Sequence, residues 1–233
     1  MKLYKLTDAD GYTRRGESNE TLWGVNVTHS ASGTGTTLCT SDVIHAYEHP
    51  LIAVFMNPLH ANTPNPVLWE AEGEVVAREG QLKCGVKTLT TLRRIPLPEI
   101  TLAQRIRIAI YCALEQCRTF KFVTWATNYL SGSDTSVQSA TEMASSVSFT
   151  AGACAAYAAA AYANRTYTSS GSIAAMVQAR LATARAARRA ELAHDVKLAA
   201  KQRAAEAAEI TSVYGTAAFD LLAIIIAVVE KEK

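Results

Sequence analysis

The sequence predicts an α+β protein: a small N-terminal mixed-sheet domain over residues 1–98, followed by an Ala-rich helical region over residues 99–233. Three observations carry this. All six prolines, four of the five histidines and most of the glycines precede residue 101. From residue 101 on there is no proline, and 24 of the 60 residues 151–210 are alanine, the strongest intrinsic helix former. Residues 67–76 alternate, with Trp69, Ala71 and Val75 on one side and Glu70, Glu72 and Glu74 on the other, which is the period of a half-buried strand. The boundary falls at Ile95-Pro-Leu-Pro-Glu-Ile100, where two prolines enforce extended chain and Thr101 is placed to cap a helix.

In order, Lys2 to Thr7 alternates as a short strand and Asp8-Ala-Asp-Gly11 is its turn. Thr21 to Thr28 is a second strand. Ser30 to Thr37 is small and polar, a mobile loop by composition, and it is no P-loop because no Lys follows its glycines. Asp42 to Met56 reads as a short helix around Ile44 and then a helix opened by His49-Pro50, since proline is tolerated in a first turn. Val67 to Val76 and Gln81 to Leu92 are strands.

Leu102, Ile106, Ile110 and Leu114 recur every fourth residue and define a helix; another runs through Trp125 to Leu130 and stops at Ser131-Gly-Ser-Asp134. Two long helices follow, separated near residues 164–171, the second capped by Ser172 and about 60 Å long. The stripe Ile173, Val177, Leu181, Leu192, Val196 and Ile210 is thin and mostly backed by alanine, which predicts an antiparallel hairpin or self-association into a homo-oligomer. Phe219 to Val229 is apolar nearly all round and should be buried against the globular half or another copy.

Charge and composition narrow the function. The chain carries 23 basic and 21 acidic residues with 49% apolar content, typical of a globular protein. Its C-terminal apolar run, Leu221 to Val229, is too short to span a membrane, and Met1-Lys-Leu-Tyr-Lys5 opens no signal peptide, so a cytoplasmic location is expected. Five cysteines without a C-x-x-C pair argue against a disulfide framework or zinc ribbon and read as mostly buried free thiols. Cys112 and Cys117 would point about 140° apart on a helix, so they share no metal. His45, His49 and His60 lack a further ligand at motif spacing, and no metal site is expected.

Three function classes remain. Trp23, His45, Tyr47, His60 and Trp69, with Arg14 and Arg15, supply aromatic faces and cations of the kind that bind a nucleotide-like ligand. Arg180, Arg185, Arg188, Arg189, Lys197, Lys201 and Arg203 place positive charge on one helix, as nucleic-acid binding requires; the absence of interleaved aromatics and the net charge of only +2 weigh against it. Glu70-Ala-Glu72, after Arg14 or Arg15 and Thr40-Ser41, resembles in order the motifs of arginine-directed ADP-ribosyltransferases, with closer spacing and an incomplete middle motif. That resemblance implies catalysis by Glu70 or Glu72 with Arg14 or Arg15, with NAD as co-substrate; otherwise no cofactor is expected.

Leu38-Cys-Thr-Ser41, His45-Ala-Tyr-Glu-His-Pro-Leu51, Leu68-Trp-Glu-Ala-Glu-Gly-Glu-Val75 and the stretch Leu89 to Leu97 resemble a family of tailed-phage proteins of uncharacterised function. The resemblance covers residues 2–130 and, through Ala155-Ala-Tyr157 and Ala161-Tyr162, more loosely the Ala-rich remainder. It implies a phage accessory protein in the host cytoplasm, for host takeover or counter-defence. Such a protein is a non-enzymatic binding module that takes a host protein or a nucleotide-like signalling ligand, and the family offers no catalytic residues to carry over.

Overall fold

The computed structural model describes residues 1–115, 117–146 and 220–231. The chain divides into a first unit, Met1–Ile108 with Leu221–Lys233, and a second, Ala109–Asp220. The Ala-rich helices, their basic stretch Arg180 to Arg203 and the expected self-association lie outside the described residues. No described helix is long and apolar enough to cross a membrane.

The first unit is built on β1 (Lys2–Thr7), β2 (Tyr12–Thr13), β3 (Thr21–Leu22), β4 (Val27–Ser30), β5 (Ile44–Ala46), β6 (Val67–Glu79) and β7 (Lys83–Ile95). The main sheet runs β1-β6-β7-β4, with β5 on the same β7 strand, and β2 and β3 form a separate hairpin. Every described pairing is antiparallel, which corrects the mixed sheet expected from sequence. A parallel pair needs a long crossover, whereas a three-residue turn with Gly80 at φ +53 suffices to join β6 to β7.

Those two strands are long, and their register shifts at Glu70/Ala71, Gly73/Val75 and Val75/Ala77 bend the sheet. A Cβ on Gly73 would sit 2.7 Å from the Thr88 carbonyl oxygen, so this crossing requires glycine. The bend lets the sheet close. Tyr47, just past β5, exchanges backbone bonds of 2.8 and 2.9 Å with Tyr4 of β1, completing a ring of pairings β1, β6, β7, β5. Leu3, Ala46, Ala71, Cys84, Val86 and Leu89 pack together with Trp23.

Two local expectations are corrected. The segment around Ile44 is a strand, not a helix, because Ile44 and Ala46 pair with Val86 and Cys84 and add to the same core. Thr21 to Thr28 is two strands: the chain turns near Asn26, at φ +58, so that Trp23 enters the core before β4 joins β7. Tryptophan burial outweighs strand continuity there.

Helix α1 (Pro50–His60) begins as its sequence predicts, with proline in the first turn and His49 Nδ1 accepting from Leu51 N at 3.2 Å. Pro58 has no N–H to give the Val54 carbonyl, and a proline inside a helix leaves that acceptor without its normal donor. Arg105 fills the gap. Its guanidinium donates to the carbonyls of Val54 and Phe55, each at 3.0 Å, and lies over the Phe55 ring. Arg105→Met is therefore expected to lower the stability of this unit by about 1–3 kcal/mol, read as a drop in the urea midpoint at unchanged slope.

Helix α2 (Leu102–Leu114) opens on a reciprocal cap: Thr101 Oγ1 accepts from Gln104 N at 3.2 Å, and Gln104 Oε1 accepts from Thr101 N at 2.8 Å. In the second unit, α3 (Phe120–Ser131) ends at Gly132, at φ +81, where the sequence predicts a stop. Its Phe122, Trp125 and Tyr129 are buried, as are Ala140, Met143 and Ala144 of α4 (Val137–Ser146). Helix α5 (Leu221–Lys231) belongs to the first unit, and Gln81 Oε1 accepts from its Leu222 N at 3.2 Å.

Candidate functional site

The site is assembled on the segment between β4 and β5. Composition alone makes Ser30 to Thr37 a mobile loop, yet the structure ties it down. Asp42 accepts from Gly35 N at 3.1 Å and Thr37 N at 3.4 Å, and the backbone N–H bonds hold its carboxyl below the ordinary carboxylate range against the opposing effect of desolvation. The Lys87 ammonium donates to the carbonyls of Gly33, Gly35 and Asp42. Gly33 N donates to Ser41 O at 2.8 Å, and a Cβ on Gly33 would sit 2.8 Å from the Asp42 backbone, so the glycines here serve close approach rather than freedom.

The pinned loop delivers Cys39, exposed and at φ +64, with its backbone N donating to His45 Nε2 at 3.0 Å. That bond makes Nε2 the acceptor and leaves the ring proton of a neutral His45 on Nδ1, a donor. Lys83, only 7% exposed, donates from Nζ to Cys39 Sγ at 3.1 Å and pairs with Glu79 at 3.3 Å. Lys5 projects from β1 at a position between the buried Leu3 and Thr7; its Nζ donates to the His45 carbonyl at 2.8 Å and stands 5.2 Å from the Trp23 ring centroid.

Electrostatics identifies the character of this cluster. Burial, and then the positive charges of Lys83, Lys5 and Arg14, push the His45 imidazole down to about 4, with Glu79 acting the other way. Burial, and then Arg14, push the Lys5 ammonium down to about 8. Three cations thus act on one imidazole that stays neutral at pH 7. Most cations of this unit already have carboxylate partners: Arg15 has Asp8 and Asp10, Lys2 and Arg93 share Glu70, Arg78 has Glu48 and Lys83 has Glu79. Among the ion pairs of the described residues, Lys5 and Arg14 have none.

The residues singled out from sequence fall in five places. Trp23 and His45 contact Lys5, and the charge of Arg14 acts on both Lys5 and His45. Tyr47 OH and His60 Nδ1, 3.1 Å apart, form a separate stacked pair. Trp69 is a core residue, 2% exposed, with Nε1 donating to Thr7 Oγ1 at 3.0 Å and Arg94 over its ring. Trp23, 4% exposed with Nε1 on Thr13 Oγ1, is likewise buried, so neither indole offers a face for stacking. Arg15 covers the Tyr12 ring and is held by the two aspartates. Glu70 and Glu72 lie two apart on β6: Glu70 is engaged by Lys2 and Arg93, each at 3.0 Å, and Glu72 is exposed opposite Lys2. Neither glutamate is among the charges acting on the Arg14 cluster.

Lys5, Lys83 and Cys39 were not singled out from sequence. Lys5 did leave a signal, since it occupies an inward position of an alternating strand, where a charge has no ordinary structural use. Among the described residues no group of three or more His, Cys, Asp or Glu side chains is placed to hold a metal. No family model, curated protein or solved structure matches the chain.

Proposed function

We propose that the first unit is a binding module for a small phosphate-bearing anion of the nucleotide class, held by Lys5 and Arg14 beside the neutral His45. The observation that supports this reading is that the charges of Lys5, Arg14 and Lys83 act together on one half-buried imidazole, with Glu79 the one acid among the charges acting on it. Two cations without carboxylate partners, drawn together at a cost in desolvation and mutual repulsion, are suited to a ligand that brings the missing negative charge. This keeps the ligand class expected from sequence but rests recognition on charge rather than on indole stacking. An accessory protein of the tailed-phage kind would use such a module to sequester a signalling nucleotide in the host cytoplasm.

Calorimetric titration of the whole chain with pyrophosphate, ADP and adenosine tests the reading. Pyrophosphate and ADP are expected to bind and adenosine not to bind, and Lys5→Met and Arg14→Gln should each weaken ADP by about tenfold or more, as loss of a charge-assisted bond predicts. Absence of ADP and pyrophosphate binding, or affinities unchanged in both variants, overturns it.

A further inference from the structure

A second chemistry lies on the neighbouring side of the same loop. Cys39 is the exposed thiol among the described cysteines; Cys84, Cys112 and Cys117 are buried, and burial pushes the Cys84 thiol up to about 11. Cys39 is not isolated. The nearly buried Lys83 ammonium is aimed at its sulfur from 3.1 Å, and Glu79 steadies that ammonium from behind at 3.3 Å. The Cys39–His45 backbone bond and the Asp42 and Lys87 contacts hold the cysteine backbone in a left-handed conformation that a side chain rarely adopts. Packing alone explains none of this, because a buried lysine whose donor ends on an exposed sulfur contributes little to a core. A cation fixed at contact distance from an accessible sulfur is the arrangement used to stabilise a thiolate for attack.

We propose that Cys39 is a nucleophile for thiol–disulfide exchange, with Lys83 as its positioning cation and a low-molecular-weight disulfide as its co-substrate. The Cys39 thiol gives its proton to solvent and Sγ attacks one sulfur of the disulfide R–S–S–R. A new Sγ–S bond forms as the S–S bond breaks, and the departing R–S⁻ takes up a proton, so that Cys39–SH and RSSR become Cys39–S–S–R and RSH. No cysteine among the described residues stands beside Cys39 as a resolving thiol: the Lys83 contact is the one that its sulfur makes across the fold, and Cys84 is shut in the core. The mixed disulfide is the product this proposal assigns, and an external thiol reverses it. Because Lys83 and Cys39 take no part in the anion contacts assigned to Lys5 and Arg14, the two proposals fail separately.

The test is the rate of thiopyridone release from dithiodipyridine by the whole chain at pH 7, together with intact-mass detection of the adduct formed with oxidised glutathione. One fast-reacting thiol is expected, faster than N-acetylcysteine by about tenfold. Cys39→Ser should abolish the fast phase. Lys83→Met should slow it by about tenfold, and Lys83→Arg, which keeps the cation, should restore most of the rate. The proposal is overturned if Cys39→Ser keeps the fast phase, if Lys83→Met matches the unsubstituted chain, or if Cys39 reacts no faster than N-acetylcysteine. The last comparison needs no variant, so it decides the matter even where Lys83→Met does not fold.

Discussion

Replacing Lys5 by Met is expected to stabilise the protein at pH 7 while weakening the ADP binding proposed for the first unit by about tenfold or more. The Lys5 ammonium is pushed from 10.5 to about 8, mainly by burial and then by Arg14. A shift of that size corresponds to roughly 3 kcal/mol. Screening around the partly exposed stem and the lost bond to the His45 carbonyl reduce the net gain to about 1–2 kcal/mol. The sign follows from linkage. Between pH 10.5 and about 8 the unfolded chain takes up a proton at Lys5 that the folded chain refuses, so folding weakens as pH falls through this window and the penalty is constant below it. The stability difference between Lys5→Met and the unsubstituted chain should thus be full at pH 7 and shrink toward pH 10.5. Urea titrations at several pH values measure it directly. A lysine kept for packing gives the opposite result: Lys5→Met then destabilises at pH 7. A residue that costs stability and supports binding is what a functional position looks like in thermodynamic terms.

The strands β1, β6 and β7 and the helices α1, α2 and α3 were legible in the sequence because each has a local cause: alternation from Trp69 to Val75, the Thr101 cap, proline in the first turn at Pro50, and the Gly132 stop. What was not legible depends on partners distant in sequence. Ile44 reads as helical until β7 supplies Val86 across from it, and Thr21 to Thr28 reads as one strand until the core draws in Trp23. The same holds for the site. Arg14, Trp23 and His45 can be picked out by residue type, but Lys5 joins His45 across 40 residues and Lys83 joins Cys39 across 44, contacts that no local pattern encodes. Nor could residue type separate the tryptophans from the ligand set. Only their burial, and the hydroxyls of Thr13 and Thr7 that satisfy their N–H groups, mark them as structural.

Helix α5 carries the other large expected effect. Leu221, Ile225, Val228 and Val229 are buried and fall at i, i+4, i+7 and i+8, while Ala223 and Ala227 face solvent, so a segment apolar all round still has one seated face. Helices α1 and α5 lie in the same unit, and Gln81 of the β6–β7 turn caps the Leu222 N–H across 141 residues of sequence. Ile225 is fully buried, so Ile225→Ala should cost about 2–5 kcal/mol through lost transfer energy and the cavity left behind. Ile225→Asp should cost more, because it also buries a charge without a partner, and Ala227→Ser on the exposed face should change little. If this face instead docks on a second copy, Ile225→Ala lowers the apparent mass by sedimentation and makes the unfolding midpoint concentration-dependent. A midpoint that falls independently of concentration identifies residues 221–231 as part of this unit's own core. Folding of the unit then waits on a contact between distant parts of the chain, which slows it relative to the local hairpin β6–β7, and the lag should disappear when residues 221–231 are removed together with the stability they supply.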